Sequence, residues 1–487
     1  MSKSRTDMEV QRVEARFATL VTGVVGGVAE GKFDAAEGER RLHAGLRDIG
    51  LATMGAMFRA AGLGDEGQTV TVALPDGPVV YVRREVEPRP LLSAFGRFVV
   101  ERYRYVAPTG DCVYPLDARL RLSARDVTPL MQEFIETVSV QDSFGPAVKI
   151  LGKLVGVQPA IRTMEEIMRC RADGATEYRQ RTRAAQASPG EIVVVSADCK
   201  GVPMGKAREP GQRKQPLPGE RPDKAKMAAV GVVYVTTPVH RDPQAIASVT
   251  HRRDGKTRPP QHREPTTGRE VFASLIDRED VFDLLRDALD QRRGPGTTIV
   301  GVLDGEEWLR CRFQDRFGDI DDVLLLLDFQ HVRTHLWSAA FALHGDDEKA
   351  RDDRMERTSM RLLCGHAGAV ISGMRQSATK RCLSESRAKV VRRVAQYLED
   401  RIDMLDYKRA LELGTPIGSG AVEGACGHTV GKRMCGVGRH WSVEGAEAVM
   451  ALRCIAESHL EEDHAKWFRR QELEREYAWY ERMESQS

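Results

Sequence analysis

Three stretches of the chain, "EIVVVSADCKGVPM", "TTIVGVLDGEEWL" and "DDVLLLLDFQHV", contain short apolar runs of the buried-strand kind, and each strand is expected to end at an aspartate: Asp198, Asp304 and Asp328. In α/β sheets, strand ends are where ligands and catalytic groups gather. Carboxylates brought together there repel one another unless a cation sits between them. Mg²⁺ (or Mn²⁺) suits such a place, because it takes hard oxygen ligands and keeps waters and substrate phosphates in its shell. Two such ions about 3.5–4 Å apart can activate an attacking oxygen and stabilise a leaving one in phosphoryl transfer. Any one of these aspartates alone is more simply a turn-former and helix cap, and Asp304-Gly305 ahead of a helix fits that well. The set, taken with one glutamate further on, points to metal chemistry.

That glutamate is Glu423, the lone carboxylate of "GTPIGSGAVEGACGHTVGKRMCGVGRHWS" (residues 414–442) until the chain leaves the segment. Ser419 is placed to cap a helix whose first turn contains Glu423. The positive helix end favours the ionised carboxylate. Small residues around it let another backbone approach closely. Lys432, Arg433, Arg439 and His440 can meet phosphates, and Trp441 can stack on a base, although a tryptophan there more often anchors helix packing.

Elements must hold these groups in place. Residues 9–62 carry helical spacing with a glycine-rich interruption near Gly26 and Gly27. "TVTVALPDGPVVYVRREV" alternates around Asp76-Gly77 and reads as strand, turn, strand. "SFGPAVKILGKLVGVQPAIRTMEEIMRCR" has helix-turn-helix spacing about Gly156. Beyond Asp198 a Pro-rich basic loop follows, and Lys206, Arg208, Arg213 and Lys214 in it are candidate DNA contacts. Strands are expected at "MAAVGVVYVTTPV" and "AIASVTH", then a helix at "REDVFDLLRDALDQRR" and the two strands that end at Asp304 and Asp328. The order implies a mixed α/β sheet over about 190–330. A helical block over 334–413 is inserted before the Glu423 segment. The chain divides into a helical region (1–64), a β-hairpin region (65–117), a helix-turn-helix-like DNA-binding region (118–186), the α/β core (187–333), the helical insertion (334–413), a segment completing the core with the Glu423 helix (414–460) and a C-terminal helix (461–487).

The chain has 487 residues, 41% of them apolar and 30% charged, with a net charge of +2, so a packed protein of several domains is expected. That balance neither favours nor excludes nucleic acid, since a local basic surface is what matters. Nine cysteines, scattered and odd in number, fit free thiols in a reducing cytosol. No apolar run is long enough to span a bilayer.

The motifs "SADCKGVPM", "KMAAVGVVYV", "VLDGEEWL", "LLLLDFQHV" and, most specifically, "GSGAVEGACGHTVGKRMCGVGRHWSVEGAEAVMALR" resemble bacterial insertion-sequence transposases of the ISKra type, relatives of the ISL group. The resemblance covers roughly residues 85 to 455. It implies an RNase H-like catalytic domain with an Asp-Asp-Glu triad and Mg²⁺-dependent cleavage and joining at transposon ends. Asp198 matches the first aspartate and Glu423 the glutamate. The second is Asp304, with Asp328 the alternative and His331, Lys200 and Ser419 near the site. The long gap before Glu423 fits a helical insertion. The implied partners are double-stranded DNA, as terminal inverted repeats and target, and a second copy of the chain on that DNA, in the bacterial cytoplasm at the nucleoid, with no membrane. Relatives carry a paired-cysteine zinc motif before "PLD", whereas "YVAPTGDCVYPLD" has only Cys112, so the hairpin region is a degenerate zinc ribbon and structural zinc is not expected. "DCKG" stands where "DGKG" is commoner, which puts Cys199 beside the first aspartate as a bystander.

Other arrangements are weaker. Cys426, His428, Cys435 and His440 match no usual zinc spacing. His331 and His335 are four apart on a helix, but "HVRTH" lacks the glutamate of a zinc hydrolase. The terminal "YAWYERM" reads as an amphipathic packing or dimer helix. Two alternatives to a transposase remain: a metal-dependent nuclease of the same fold that does not join, and a non-catalytic transposase-derived DNA-binding protein.

Overall fold

The chain was described from a computed structural model, which covers residues 2–205, 225–248, 266–380, 383–436 and 439–484. It forms two compact units, residues 1–174 with 461–487, and residues 175–460. Among the described residues, no helix is long and apolar enough to cross a membrane.

The first unit opens with two long helices, Ser2–Ala29 and Ala35–Ala61, that fold back on one another. Gly26 and Gly27 do not interrupt the first helix, contrary to the sequence reading. Gly27 is there because the Phe33 ring occupies the space a Cβ would need, and the chain turns at Gly31, whose φ is +68°. Asp34 caps the second helix by accepting from Glu37 N at 2.8 Å. Strands β1 (Thr69–Leu74), β2 (Gly77–Ser93), β3 (Gly96–Val106) and β4 (Cys112–Val113) form an antiparallel sheet, with the turn between β1 and β2 where Asp76-Gly77 suggested it. The C-terminal pair Met483–Glu484 adds to its β1 edge. "YAWYERM" is therefore no continuous helix: the helix Glu461–Tyr477 stops, and Trp479 and Met483 pack on the β1–β3 core. Helices Phe144–Leu154 and Ile161–Ala172 flank Gly156 as the helix-turn-helix spacing predicts, around buried Met131, Ile135, Leu151 and Met164.

The second unit is built on a five-stranded mixed sheet in the order β7-β6-β5-β8-β9. Its strands are β5 (Ile192–Val202), β6 (Lys226–Thr236), β7 (Thr266–Ser274), β8 (Thr298–Leu303) and β9 (Leu324–Leu327). Strand β6 pairs antiparallel with β5 and β7, while β8 and β9 run parallel to β5. Successive residues Ile192 to Val195 have no exposure, so both faces of β5 are covered. "AIASVTH" is not the third strand: Pro243–Ser248 is a short helix, and residues 249–251 lie outside the described residues. The third strand is "TTGREVFAS", whose buried Glu270 is neutralised by an ion pair with Arg292. Helices Phe329–His344, Glu348–Leu363, Ala367–Lys380, Glu385–Glu399 and Tyr407–Leu413 form the helical block between β9 and the Glu423 segment.

Candidate active site

The register of the second sheet brings three aspartates into line. Ala197 on β5 stands beside Leu303 on β8, and Leu303 beside Leu327 on β9. The residues that follow these three are Asp198, Asp304 and Asp328. Neighbouring strands lie about 4.8 Å apart, so the sheet alone sets Asp198 and Asp304 close together with Asp328 one strand further. One detail differs from the sequence reading. Asp198 does not end its strand, because β5 continues to Val202 and pairs Asp198 with Val230 on β6. Only Asp304 and Asp328 stand at strand ends.

The three environments differ. Burial, and secondarily the charge of Asp304, hold the Asp198 carboxyl above its ordinary value, against the pull of its hydrogen bonds and of Lys200. Its Oδ1 accepts from Cys199 N at 2.6 Å, and the Cys426 thiol also bonds it. Lys200, two residues on and exposed, projects to the same face of β5. Cys199 receives Arg278 Nη2 at 3.2 Å, and burial pushes its thiol up to about 11, which fits a bystander.

Asp304 sits in a tight turn. Its Oδ1 accepts from Glu306 N at 2.9 Å. Gly305 has φ +88°, and a Cβ there would stand 2.5 Å from Leu327 Cδ1 and 2.7 Å from Tyr397 Oη. The helical block supplies the clamp: Tyr397 Oη donates to the Asp304 carbonyl at 3.1 Å, and Arg401 Nε to the Gly305 carbonyl at 2.8 Å. Arg401 also lies over the Tyr397 ring at 4.3 Å. Burial pushes the Tyr397 hydroxyl up to about 12, so it remains a donor. Tyr397→Phe is expected to lower stability by about 1 kcal/mol, read as a shifted urea midpoint with an unchanged slope.

Asp328 is only 1% exposed, and both its oxygens are taken. Oδ1 accepts from Gln330 N at 2.5 Å and His331 N at 3.1 Å, capping the helix Phe329–His344. Oδ2 accepts from Ser419 N at 2.8 Å and from the Ser419 hydroxyl. Asp328 is thus a joint that fastens the Glu423 segment to the end of β9. Ser419 occupies the capping position before the helix Gly420–Ala425, but its side chain caps no helix N–H. Its hydroxyl instead serves Asp328 and lies 3.2 Å from Glu423 Oε1. Glu423 is exposed, in the first turn, on a helix that packs against β5 and β6 and passes into a π-helical stretch, Cys426–Lys432.

His331 and His335 bring their Nε2 atoms within 3.3 Å, and His335 stacks on Tyr397 at 4.0 Å. Burial, then the His331 and Arg401 charges, lower the His335 value.

The cationic residues divide. Lys432 and His440 are exposed. Arg433 is not a surface contact: it is 1% exposed and lies over the Trp441 ring at 4.8 Å. Trp441 is 8% exposed and donates Nε1 to Met434 O at 3.0 Å, so it is a packing anchor and no base platform. Arg439 folds back to the carbonyls of Lys432 at 2.6 Å and Arg433 at 2.5 Å. Lys206, Arg208, Arg213 and Lys214 lie outside the described residues. Cys435 bonds the Gly201 carbonyl at 3.2 Å, apart from Cys426 at Asp198.

Among the described residues, no three His, Cys, Asp or Glu side chains converge on one cation position. The donor chemistry of Asp198 and Asp304 nevertheless fits a hard divalent ion. Two carboxylates face the same sheet end, and one is held up by burial and by the charge of the other, a strain that a cation relieves. Tyr397, Arg401 and Cys426 at this site were not foreseen as parts of it. Tyr397 lies in the last turn of the helix Glu385–Glu399 and Arg401 in the turn just after it, so their closeness in sequence was the available signal.

No protein-family model matches the chain, and no curated protein matches it. Among solved structures, the chain is similar to the Drosophila P element transposase strand transfer complex at 11% identity, over 67% of this chain and 79% of that one, with a TM-score of 0.21. A TM-score of that size carries no argument about fold or function.

Proposed function

We propose that the chain is a DNA transposase of the Asp-Asp-Glu type on an RNase H-like core, cutting and joining phosphodiester bonds at the ends of a mobile element. The observation that carries this reading is the common register of Asp198 and Asp304 on adjacent parallel strands, with Glu423 tied to the same sheet end through Ser419 and Asp328. The sheet order and the helical block before the glutamate support it, as do the sequence motifs.

Asp198 and Asp304 would hold one or two Mg²⁺ or Mn²⁺ ions, and Glu423 would complete the set. Such an ion, when bound, lowers the pKa of an attacking water and neutralises phosphate charge. Asp198 and Asp304 fix the position of the reacting phosphate relative to the sheet. Tyr397 and Arg401 keep the Asp304 turn rigid, and Lys200 offers a cation beside the phosphate. Phosphoryl transfer of this kind needs mainly positioning and charge neutralisation. Asp304 is the second carboxylate of the triad; Asp328, with no oxygen left over, serves as its support. Lys432 and His440 lie on the DNA side. Lys432→Ala is expected to weaken DNA binding evenly across sequences and to lower the slope of log K against log salt by about 1.

The test uses element-end duplexes, intact or pre-cut to expose a 3′-hydroxyl, incubated with the full chain, a target plasmid and Mg²⁺. Joined products that vanish with EDTA are expected. Cleavage without joining of pre-cut ends makes the chain a nuclease. Binding that is unchanged in EDTA, with neither nicking nor joining, makes it a DNA-binding protein only.

A further inference from the structure

We propose that His331 and His335 form a metal site of their own, a two-imidazole clamp on one helix for a transition-metal ion such as Ni²⁺, Cu²⁺ or Zn²⁺, distinct from the carboxylates. The reading is independent of whether the chain cuts DNA.

Both residues lie on the helix Phe329–His344, and their positions, i and i+4, put the side chains on one face. Their Nε2 atoms stand 3.3 Å apart. That is long for a hydrogen bond between ring nitrogens. It is the spacing a shared ion sets: two nitrogens each about 2.0–2.1 Å from a tetrahedral metal lie roughly 3.3–3.4 Å from one another. The ring centres give a second measure. When both nitrogens point at one such ion, the centres stand about 5.2 Å apart. Here they are 5.1 Å apart. Rings lying side by side would have their centres no further apart than their nitrogens, so the two Nε2 edges converge.

Their neighbours hold the rings in this arrangement. Asp328 accepts from His331 N at 3.1 Å and so fixes the first turn of the helix. His335 stacks on Tyr397 at 4.0 Å, with the two planes 21° apart. Both rings are half-buried, which leaves an ion a way in and lets solvent complete its shell. Burial and the neighbouring charges lower the His335 value, so at neutral pH that ring is in the uncharged form that binds a metal. The Arg401 charge works against a dication there, and the Asp328 carboxylate works for it. Imidazole suits Ni²⁺, Cu²⁺ and Zn²⁺, whereas Mg²⁺ takes oxygen ligands, so the histidine pair and the carboxylates sort ions by type. With two protein donors the ion is held weakly and exchanges. "HVRTH" supplies no glutamate to act as a base, so the ion's part is positional. It keeps His335 stacked on Tyr397, whose hydroxyl holds the Asp304 carbonyl.

The test is calorimetric titration of the full-length chain with Ni²⁺, in excess Mg²⁺ and without DNA. The native chain is expected to take up a Ni²⁺ ion that His335→Phe, which keeps an aromatic ring against Tyr397, does not. His331→Asn should weaken that uptake by at least on the order of tenfold, because a single imidazole no longer chelates. Circular dichroism checks that each variant keeps its helix, and should His335→Phe lose it, His335→Gln serves. Asp198→Asn should leave the uptake unchanged. A native chain that takes up no Ni²⁺ overturns the proposal. So does uptake that is equal in the native chain and both histidine variants. Uptake lost in Asp198→Asn overturns it as well, by placing the ion among the carboxylates.

Discussion

Asp198→Asn should abolish metal-dependent strand cleavage while making the metal-free protein more stable. Under the proposed function Asp198 would hold the catalytic cation, and its loss is expected to slow cleavage by at least on the order of 10³-fold. Stability moves the other way, because burial and the nearby Asp304 charge hold the Asp198 carboxyl above its ordinary value of 3.8 in the folded chain. The folded state therefore binds that proton more tightly than the unfolded state does. Below 3.8 both states are protonated and the group is neutral in its effect. As pH rises from there through the folded value, an unfavourable contribution grows, and at neutral pH it is fully present. The amide removes it while still accepting from Cys199 N. Thermal melts at neutral pH without metal should show a higher midpoint for Asp198→Asn and no such gain at acidic pH. Added Mg²⁺ should raise the native midpoint and leave the variant's nearly unmoved. A variant that cleaves at near-native rate removes Asp198 from the site.

The second large effect concerns Asp328, and it is structural. Asp328→Ala strips the cap from the helix Phe329–His344 and leaves the buried Ser419 amide without its acceptor, the hydroxyl keeping only Glu423 Oε1 at 3.2 Å. The combined loss is expected to be on the order of 3–5 kcal/mol. Urea unfolding without metal reads it directly, and Asp304→Ala, whose carboxylate accepts one local turn bond, should cost far less. The pair of variants separates the two aspartates. If Asp328→Ala unfolds normally and abolishes cleavage while Asp304→Ala still cuts, the second carboxylate of the triad is Asp328.

Sequence patterning located the parts of the site better than their chemistry. The runs ending at Asp198, Asp304 and Asp328 are visible because β-branched residues buried on both faces leave an uninterrupted apolar signature. "TTGREVFAS" leaves none. Its buried Glu270 is tolerable only because Arg292, distant in sequence, reaches it, and a long-range ion pair has no local trace. The same blindness makes Arg433 look like a phosphate contact. Its guanidinium is buried instead, over the aromatic face of Trp441. Asp304 and Asp328 look alike in sequence. The structure distinguishes them: Asp328 is buried, its Oδ1 caps a helix and Ser419 occupies its Oδ2, whereas Asp304 accepts one turn bond.

The bond between Asp328 and Ser419 joins residues 91 positions apart, and the helical block lies between them. A growing chain emerging from the ribosome would therefore expose all three aspartates well before their glutamate exists. Strand pairing of β5, β8 and β9 can begin early, but closing a loop of that length waits on the intervening helices. The proposed site is in this way among the last things the chain completes. A truncated or stalled product keeps its aspartates and lacks Ser419 and Glu423, so under the proposed function a half-made chain would be unable to cut DNA.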